Sequence, residues 1–239
     1  MQIITSKSNS KIKFVTYLKT TKGRKENHMF VCEGSKALEM ALRTDLVTDV
    51  FSLKPIGNLP DTINQYLVNE EVLNKLSSSL NPEGVVFVSE IKEKPFDNNF
   101  NKIIYLDDIQ DPGNMGTIIR TALAFGFDAV VASENSVDFY NEKVIAASKG
   151  SIFMMPLFVG DIDNFSKDKK VVVSALEDNA IELESVKPVD KIVLVLGNEA
   201  HGVNKKILEK ADIVTKIAIK NIDSLNVAVA GAILMHHFQ

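Results

Sequence analysis

A chain of 239 residues with 45% hydrophobic and 24% charged side chains, twelve glycines and seven prolines has the composition of a globular protein of one large domain or two small ones, which excludes disorder and collagen-like order. No apolar run approaches the ~18–20 residues of a membrane helix, and one cysteine with four scattered histidines excludes an internal disulfide and a zinc cluster, so no metal is expected. The net charge of −4 (27 Lys+Arg against 31 Asp+Glu) argues against a wholly basic nucleic-acid coat.

The opening MQIITSKSNSKIKF lacks the continuous apolar core and cleavage site of a secretion signal, so a cytoplasmic address with no membrane partner is expected. Residues 1–25 hold seven basic side chains and no acidic one, whereas residues 96–239 hold fourteen basic and twenty acidic. Lys7, Lys11, Lys13, Lys22 and Arg24 are therefore expected to form a basic arm that touches phosphates. The competing reading is that these lysines are the wet face of a short helix whose other face is Ile12, Phe14, Val15 and Leu18.

An opening amphipathic helix is followed by MFVCEG as strand, SKALEMALR as helix, TDVFSL and INQYLV as strand or turn, EEVLNKLSSS as helix and GVVFVSEI as strand. This alternation predicts a small α/β domain over 1–96. Polar KEKPFDNNFNK then marks a boundary, and the second domain covers 97–239. There KIIYL, DAVVAS, FMMPLFVG, DKKVVVSALE, KIVLVLG and VTKIAI read as strands. TIIRTALAFG, NEKVIAASKG, NKKILEKA and SLNVAVAGAILMHHF read as the intervening helices. Alternating βα predicts an open, mostly parallel sheet with helices on both faces and ligands beyond the carboxyl ends of its strands.

Three loops sit at those ends. In Asp111-Pro112-Gly113-Asn114-Met115-Gly116 the Asn114 side chain is suited to cap the next helix, with Arg120 within its first two turns. Gly197-Asn198-Glu199-Ala200-His201-Gly202 has P-loop glycine spacing, but Val203 and Asn204 stand where a phosphate loop needs Lys and Ser or Thr. A carboxylate within that loop suits a hydroxyl or cationic group better than a phosphate. His201 is a candidate general base, though a lone loop histidine is more often a surface hydrogen-bonding residue. Ser224-Leu225-Asn226-Val227 puts two small polar groups at the start of the last helix. Singly, each loop also reads as ordinary helix capping.

Together and in this order, DDIQDPGNMGTIIRTALAFGFDAVV, ASKGSIFMMP, IVLVLGNEAHGV and IAIKNIDSLNVAVAGAIL resemble the SpoU/TrmH family of RNA ribose methyltransferases, of the SPOUT class, over residues 102–236. FVCEGSKALEMAL resembles the family's small ribosomal-protein-like α/β domain, which binds substrate RNA. The resemblance implies a C-terminal parallel sheet tied in a trefoil knot, a homodimer, and S-adenosylmethionine as cofactor. It carries cofactor binding onto Ala175, Leu176, Gly197, Asn198, Gly202, Ile217, Ile219 and Leu225. Catalytic or substrate-ordering roles fall on Asn114, Arg120, Glu199, Ser224 and Asn226, and Lys149 is a candidate RNA contact. The implied reaction is methyl transfer to a ribose 2′-hydroxyl of structured RNA, leaning to ribosomal RNA over tRNA.

The family's candidate base is Arg120. Because a guanidinium pKa exceeds ~12, the alternative assignment is that Arg120 clamps an RNA phosphate and stabilises the developing alkoxide. Glu199 and Asn114 are expected to orient Arg120 and the ribose, while Ser224 and Asn226 hold the loops together. Lys220-Asn221-Ile222 departs from the family's small residues and proline in the third motif. Rival readings are a non-catalytic RNA-binding or ribosome-assembly protein on the same fold, a base-methylating SPOUT enzyme, and a nucleotide-binding α/β enzyme. The last is disfavoured by the failed P-loop and the absence of a dinucleotide fingerprint.

Overall fold

A three-residue strand, Gln2–Ile4 (β1), precedes the first helix, a feature too short to be foreseen. Ile12, Val15 and Leu18 then recur every three residues and are fully buried, which explains the helix Ser10–Leu18 (α1); Asn9 starts it by accepting the Lys11 N–H at 2.8 Å. A second unforeseen helix, Thr21–Asn27 (α2), is capped by the Thr20 hydroxyl, which accepts the Gly23 N–H at 3.0 Å. Next come Met29–Glu33 (β2), Ser35–Ala41 (α3), Val47–Ser52 (β3), Asn64–Val68 (β4), Glu70–Leu76 (α4) and Val85–Glu90 (β5). These strands form a mixed sheet in the order β1-β4-β3-β5-β2, in which β4 is parallel to β1 and β3 and β5 is antiparallel to β3 and β2. The apolar faces of α1 and α4 pack on Phe51, Val86 and Val88.

The second sheet is entirely parallel. Lys102–Asp107 (β6) leads to Pro112–Ala124 (α5) and Ala129–Ala132 (β7), the expected βαβ unit. Glu142–Ser148 (α6) and a 3₁₀ turn at Ser151–Phe153 precede Leu157–Val159 (β8), Lys170–Ser174 (β9) and the two-residue Ile181–Glu182 (β10). Ile192–Gly197 (β11), Lys205–Leu208 (α7), Ile213–Lys216 (β12) and Val227–His237 (α8) complete the chain. The strand order is β10-β12-β9-β11-β6-β7-β8. The apolar runs Ile103–Leu106 and Ile192–Leu196 are at most 3% exposed, as strands covered on both faces require, and they pair with each other at the centre of the sheet. Each such Ile, Leu or Val contributes roughly 1.5–3 kcal/mol by burial. From the far edge of the sheet the chain returns to this centre: α8 packs on α5 and β11, with Gly231 so near that an added Cβ would lie 2.8 Å from Leu196 Cδ1.

The computed structural model describes residues 1–79 and 81–239, in two compact units. One is Met1–Lys94 with Tyr140–Phe153; the other is Pro95–Phe139 with Met154–Gln239. The sequence reading put the whole of 97–239 in one domain, whereas α6 packs on β2, and its segment belongs to the first unit. Among the described residues no helix is long and apolar enough to cross a membrane.

The basic N-terminal segment is not a free arm. Arg24 is only 4% exposed and donates to the Lys19 carbonyl at 2.9 Å, so its guanidinium is withdrawn from any phosphate. Lys11 lies 2.9 Å from the buried Asp49 carboxylate, and Lys7 and Lys22 lie near Glu71 and Glu26 at 3.5 and 3.7 Å. Lys13 stays exposed on α1, which corresponds to the wet-face reading.

Candidate active site

The loops after β6, β9, β11 and β12 converge at the carboxyl ends of the parallel strands. Asp107, the last residue of β6, is 8% exposed and accepts the Asn204 N–H at 2.7 Å. Burial pushes its carboxyl above the ordinary range, against the lowering effect of that bond. Asp108 follows in a left-handed conformation (φ 58°), and its carbonyl accepts from Asn198 Nδ2 at 2.8 Å. Asn198 Oδ1 accepts the Ala200 and His201 N–H groups at 2.8 and 3.1 Å, so this one side chain shapes its own loop and ties it to β6. Asn198 and Gly202 also exchange backbone hydrogen bonds, at 3.0 and 2.9 Å. The tight return requires glycine at 197, because a Cβ there would sit 2.5 Å from the Gly202 carbonyl carbon.

A chain of side-chain bonds joins the three loops foreseen from sequence. Asn114 Nδ2 donates to Glu199 Oε1 at 2.8 Å, and Asn226 Nδ2 donates to Asn114 Oδ1 at 2.9 Å. Asn226 Oδ1 in turn accepts the Ala228 and Val229 N–H groups and so caps α8. Asn114 is not the cap of α5: Asp111 is, accepting the Asn114 N–H at 2.8 Å, which frees the Asn114 amide to bridge the other two loops. Arg120 is exposed and makes no hydrogen bond or ion pair with the described residues, so the expected orientation by Glu199 and Asn114 is absent within one chain. Ser224 is also exposed and bonds to no described residue; the tie expected of it falls to Asn226 alone.

These loops enclose a cavity of about 470 Å³, within the ~300–1,000 Å³ of small-molecule sites. Ala175, Leu176, Gly197, Asn198, Gly202, Ile217, Ile219 and Leu225 all lie on its wall, together with Glu199, His201 and Ser224. Asn114, Arg120 and Asn226 do not. Sequence reasoning missed Glu177, Lys216 and Asp223, which are also on the wall. Three carboxylates (Glu177, Glu199, Asp223) against one lysine favour a cationic ligand, while Leu176, Ile217, Ile219 and Leu225 offer an apolar face to a flat ring. Among the described residues no cluster of His, Cys, Asp or Glu is placed to hold a metal ion.

The model of the SpoU rRNA methylase family matches residues 101–236, more than half of the chain. The chain belongs to that family. The model of the MRM3-like substrate binding domain matches residues 9–86. Over the whole of both chains the protein is 30% identical to the 23S rRNA (guanosine(2553)-2′-O)-methyltransferase RlmP of Bacillus subtilis. It is 27% identical to an uncharacterized tRNA/rRNA methyltransferase of Synechocystis, over 98% of this chain and 92% of that one. The AdoMet-bound rRNA methyltransferase of Sinorhizobium meliloti superposes with a TM-score of 0.88 at 26% identity, covering 98% of this chain and 96% of that one. In this SpoU family member, Asp107 could have been found from sequence as the last residue of a buried strand facing the site. Glu177 and Asp223 lie one residue from cavity positions carried over from the family, and only the folded loops reveal them.

Proposed function

We propose that this protein is an S-adenosylmethionine-dependent ribose 2′-O-methyltransferase that acts on ribosomal RNA in the cytoplasm as a homodimer. The observation that carries the reading is the cavity: all eight positions carried over as cofactor-binding meet on one wall, beside an Asn226–Asn114–Glu199 hydrogen-bond chain. The residues fit the cofactor. A ring-bearing cation matches apolar side chains beside an excess of carboxylates, and the turn enforced by Gly197 lets backbone approach it closely. When bound, S-adenosylmethionine supplies an electrophilic methyl group on a sulfonium.

The chain's part is positioning. The Asn114 amide fixes Glu199 as a hydrogen-bond acceptor at the cavity edge and holds the α8 loop against it. Arg120, a guanidinium that does not readily give up its proton, serves as a clamp on the phosphate beside the target ribose and stabilises the developing alkoxide. Its absence from its own chain's cavity wall and its lack of partners among the described residues support Arg120 serving a second copy's site. The α5–α8 pair leaves Val229 and Ile233 50% and 39% exposed, an apolar face suited to that copy. The same chain is then wound through a trefoil knot, supported by the return of α8 from the sheet edge to β11. Further RNA contacts fall to the first unit, where Lys13 and Lys149 are exposed.

Labelled S-adenosylmethionine offered with unmodified 23S ribosomal RNA, and in parallel with bulk tRNA, tests the reading. A 2′-O-methyl nucleoside is expected in the first pool. Arg120→Ala should lower turnover about 10²–10³-fold and leave cofactor affinity intact; near-normal turnover would overturn the role of Arg120, and transfer to neither RNA the whole reading. Val229→Glu should convert a species of twice 26.4 kDa into one of 26.4 kDa in sedimentation; a wild-type monomer refutes the homodimer.

A further inference from the structure

The first unit contains a second cavity of about 460 Å³, nearly the size of the proposed cofactor site, built by β2, α3, α6 and residues between α4 and β5. Part of its wall is apolar: Val31, Ala37, Leu76 and Ile145. Cys32 lies there as well, but burial pushes its thiol up to about 12, so no thiolate chemistry is available. Lys36, Lys143 and Lys149 line the rest, all three are exposed, and none has an acidic partner among the described residues.

Two of the three acids in the wall are held by hydrogen bonds. Glu33 accepts the Ser77 hydroxyl and the Ser78 N–H, and Glu142 accepts the Ser78 hydroxyl at 2.6 Å with Lys19 Nζ at 3.8 Å. The cavity therefore presents three ammonium groups that make no ion pair, on a wall that also carries the carboxylates of Glu33, Glu83 and Glu142, beside an apolar surface. Lys149 is also held in place: it adopts a left-handed conformation (φ 51°) followed by Gly150 (φ 89°), where an added Cβ would meet Met40 Sδ at 2.7 Å and Ala37 Cα at 3.4 Å. The turn bearing Lys149 is thus pressed onto α3. Glu83, also on the wall, makes no hydrogen bond with the described residues and leaves an acceptor open for an amino-bearing base.

We infer that this cavity seats one unstacked nucleotide of the substrate RNA, its base against the apolar wall and the adjoining phosphates on Lys36, Lys143 and Lys149. Single-stranded RNA is commonly read in this way, with a splayed base in a pocket and its backbone on cations. The inference rests on the reading that the protein acts on RNA.

The test uses the full chain, labelled unmodified 23S ribosomal RNA as probe, and guanosine monophosphate as the free-nucleotide arm. K36A/K143A/K149A should weaken RNA binding about tenfold and reduce the slope of log affinity against log salt by about 2, at ~0.7 per single-strand phosphate contact. The exposed control K167A/K187A/K191A should change neither. Ala146→Trp, which narrows the cavity without altering charge, should weaken binding and leave the salt slope unchanged. Cofactor affinity should match wild type throughout, because none of these residues lines the cofactor cavity. Wild-type affinity and slope in the lysine triple, with methyl transfer intact, would overturn the cavity's role and leave the proposed function standing. A wild-type protein that neither binds nor methylates RNA would overturn both. Guanosine monophosphate binding that Ala146→Trp abolishes, with RNA affinity unaffected, would replace RNA by a free nucleotide and also overturn the inference. Should Ala146→Trp fail to fold, the lysine triple decides alone.

Discussion

In the parallel sheet, the polar side chains at the strand ends are spent on neighbouring loops: Asn198 on the Asp108 carbonyl, Asp107 on the Asn204 N–H, and Asn114 on both Glu199 and Asn226. In the first unit, single ion pairs carry a larger share of the polar contacts, as with Lys11 on Asp49 and Lys22 on Glu26. The first arrangement makes a cavity whose shape is set by many bonds at once, so small changes there should propagate. The second compensates charge pair by pair, so its losses should stay local. Site preorganisation and fold stability therefore rest on different residues in the two units.

The largest expected effect within this comparison is at Gly197. Gly197→Ala drives a Cβ to 2.5 Å from the Gly202 carbonyl carbon and 2.6 Å from Val203 Cγ2. Such overpacking costs about 1–3 kcal/mol, and realised at the loop it should weaken S-adenosylmethionine binding roughly 10- to 100-fold by calorimetry. Gly202→Ala is the paired control, because open space surrounds a Cβ there and only its φ of 68° is unfavourable. Equal losses in the two variants would show that backbone conformation, and not the close return of the loop, shapes the cavity.

Next is Asn114→Ala, which removes both ends of the bridge between loops. With hydrogen bonds to a charged group worth about 1.5–3 kcal/mol, kcat/KM for RNA should fall roughly 10- to 100-fold, mainly in kcat. Cofactor affinity should hold, because Asn114 is off the cavity wall. Asn114→Asp should be worse, since it sets a second carboxylate where an amide donates to Glu199 at 2.8 Å. An aspartate variant as active as wild type would show that the bridge is dispensable.

Much of this architecture was legible in advance, for reasons that differ by region. The runs at 103–106 and 192–196 read as strands buried on both faces because nothing polar interrupts them. β1, α2 and β10 did not, being two to seven residues long, with α2 built from TKGRKEN and without apolar periodicity. Six of the eight cavity positions carried over lie in the second and third motifs, whereas hydrogen-bond partners were not readable. Pro112, suited to a first helical position, marks Asp111 as the cap of α5, a signal passed over in reading Asn114 as the cap, and that choice is what frees Asn114 to join the loops. Likewise, seven basic residues in 25 look like an RNA-binding arm until folding shows that Lys7 and Lys11 have acidic partners far along the chain and that Arg24 is turned onto a nearby carbonyl.

The smallest expected effect tests the ionic side of the comparison. Lys11 loses hydration on partial burial, which lowers its pKa, but the hydrogen bond and charge of Asp49 more than offset this and raise it above the ordinary 10.5. A lysine raised on folding contributes its full stabilisation below about pH 10.5 and loses it as pH climbs through the raised value. Lys11→Met keeps most of the aliphatic packing and removes the charge. Asp49 retains Thr48 and Asn64 as donors at 3.1 and 3.2 Å, so the loss at pH 7 should be limited to about 1–2 kcal/mol in urea unfolding. The gap between wild type and variant should close as the pH is raised beyond 10.5, while methyl transfer at pH 7 stays within about twofold because neither member of the pair is among the residues that line or link the loops of the cavity. A gap that persists unchanged to pH 11 would mean that Lys11 stabilises by packing alone, and a large loss of methyl transfer would mean that the two units do not divide stability and catalysis between them.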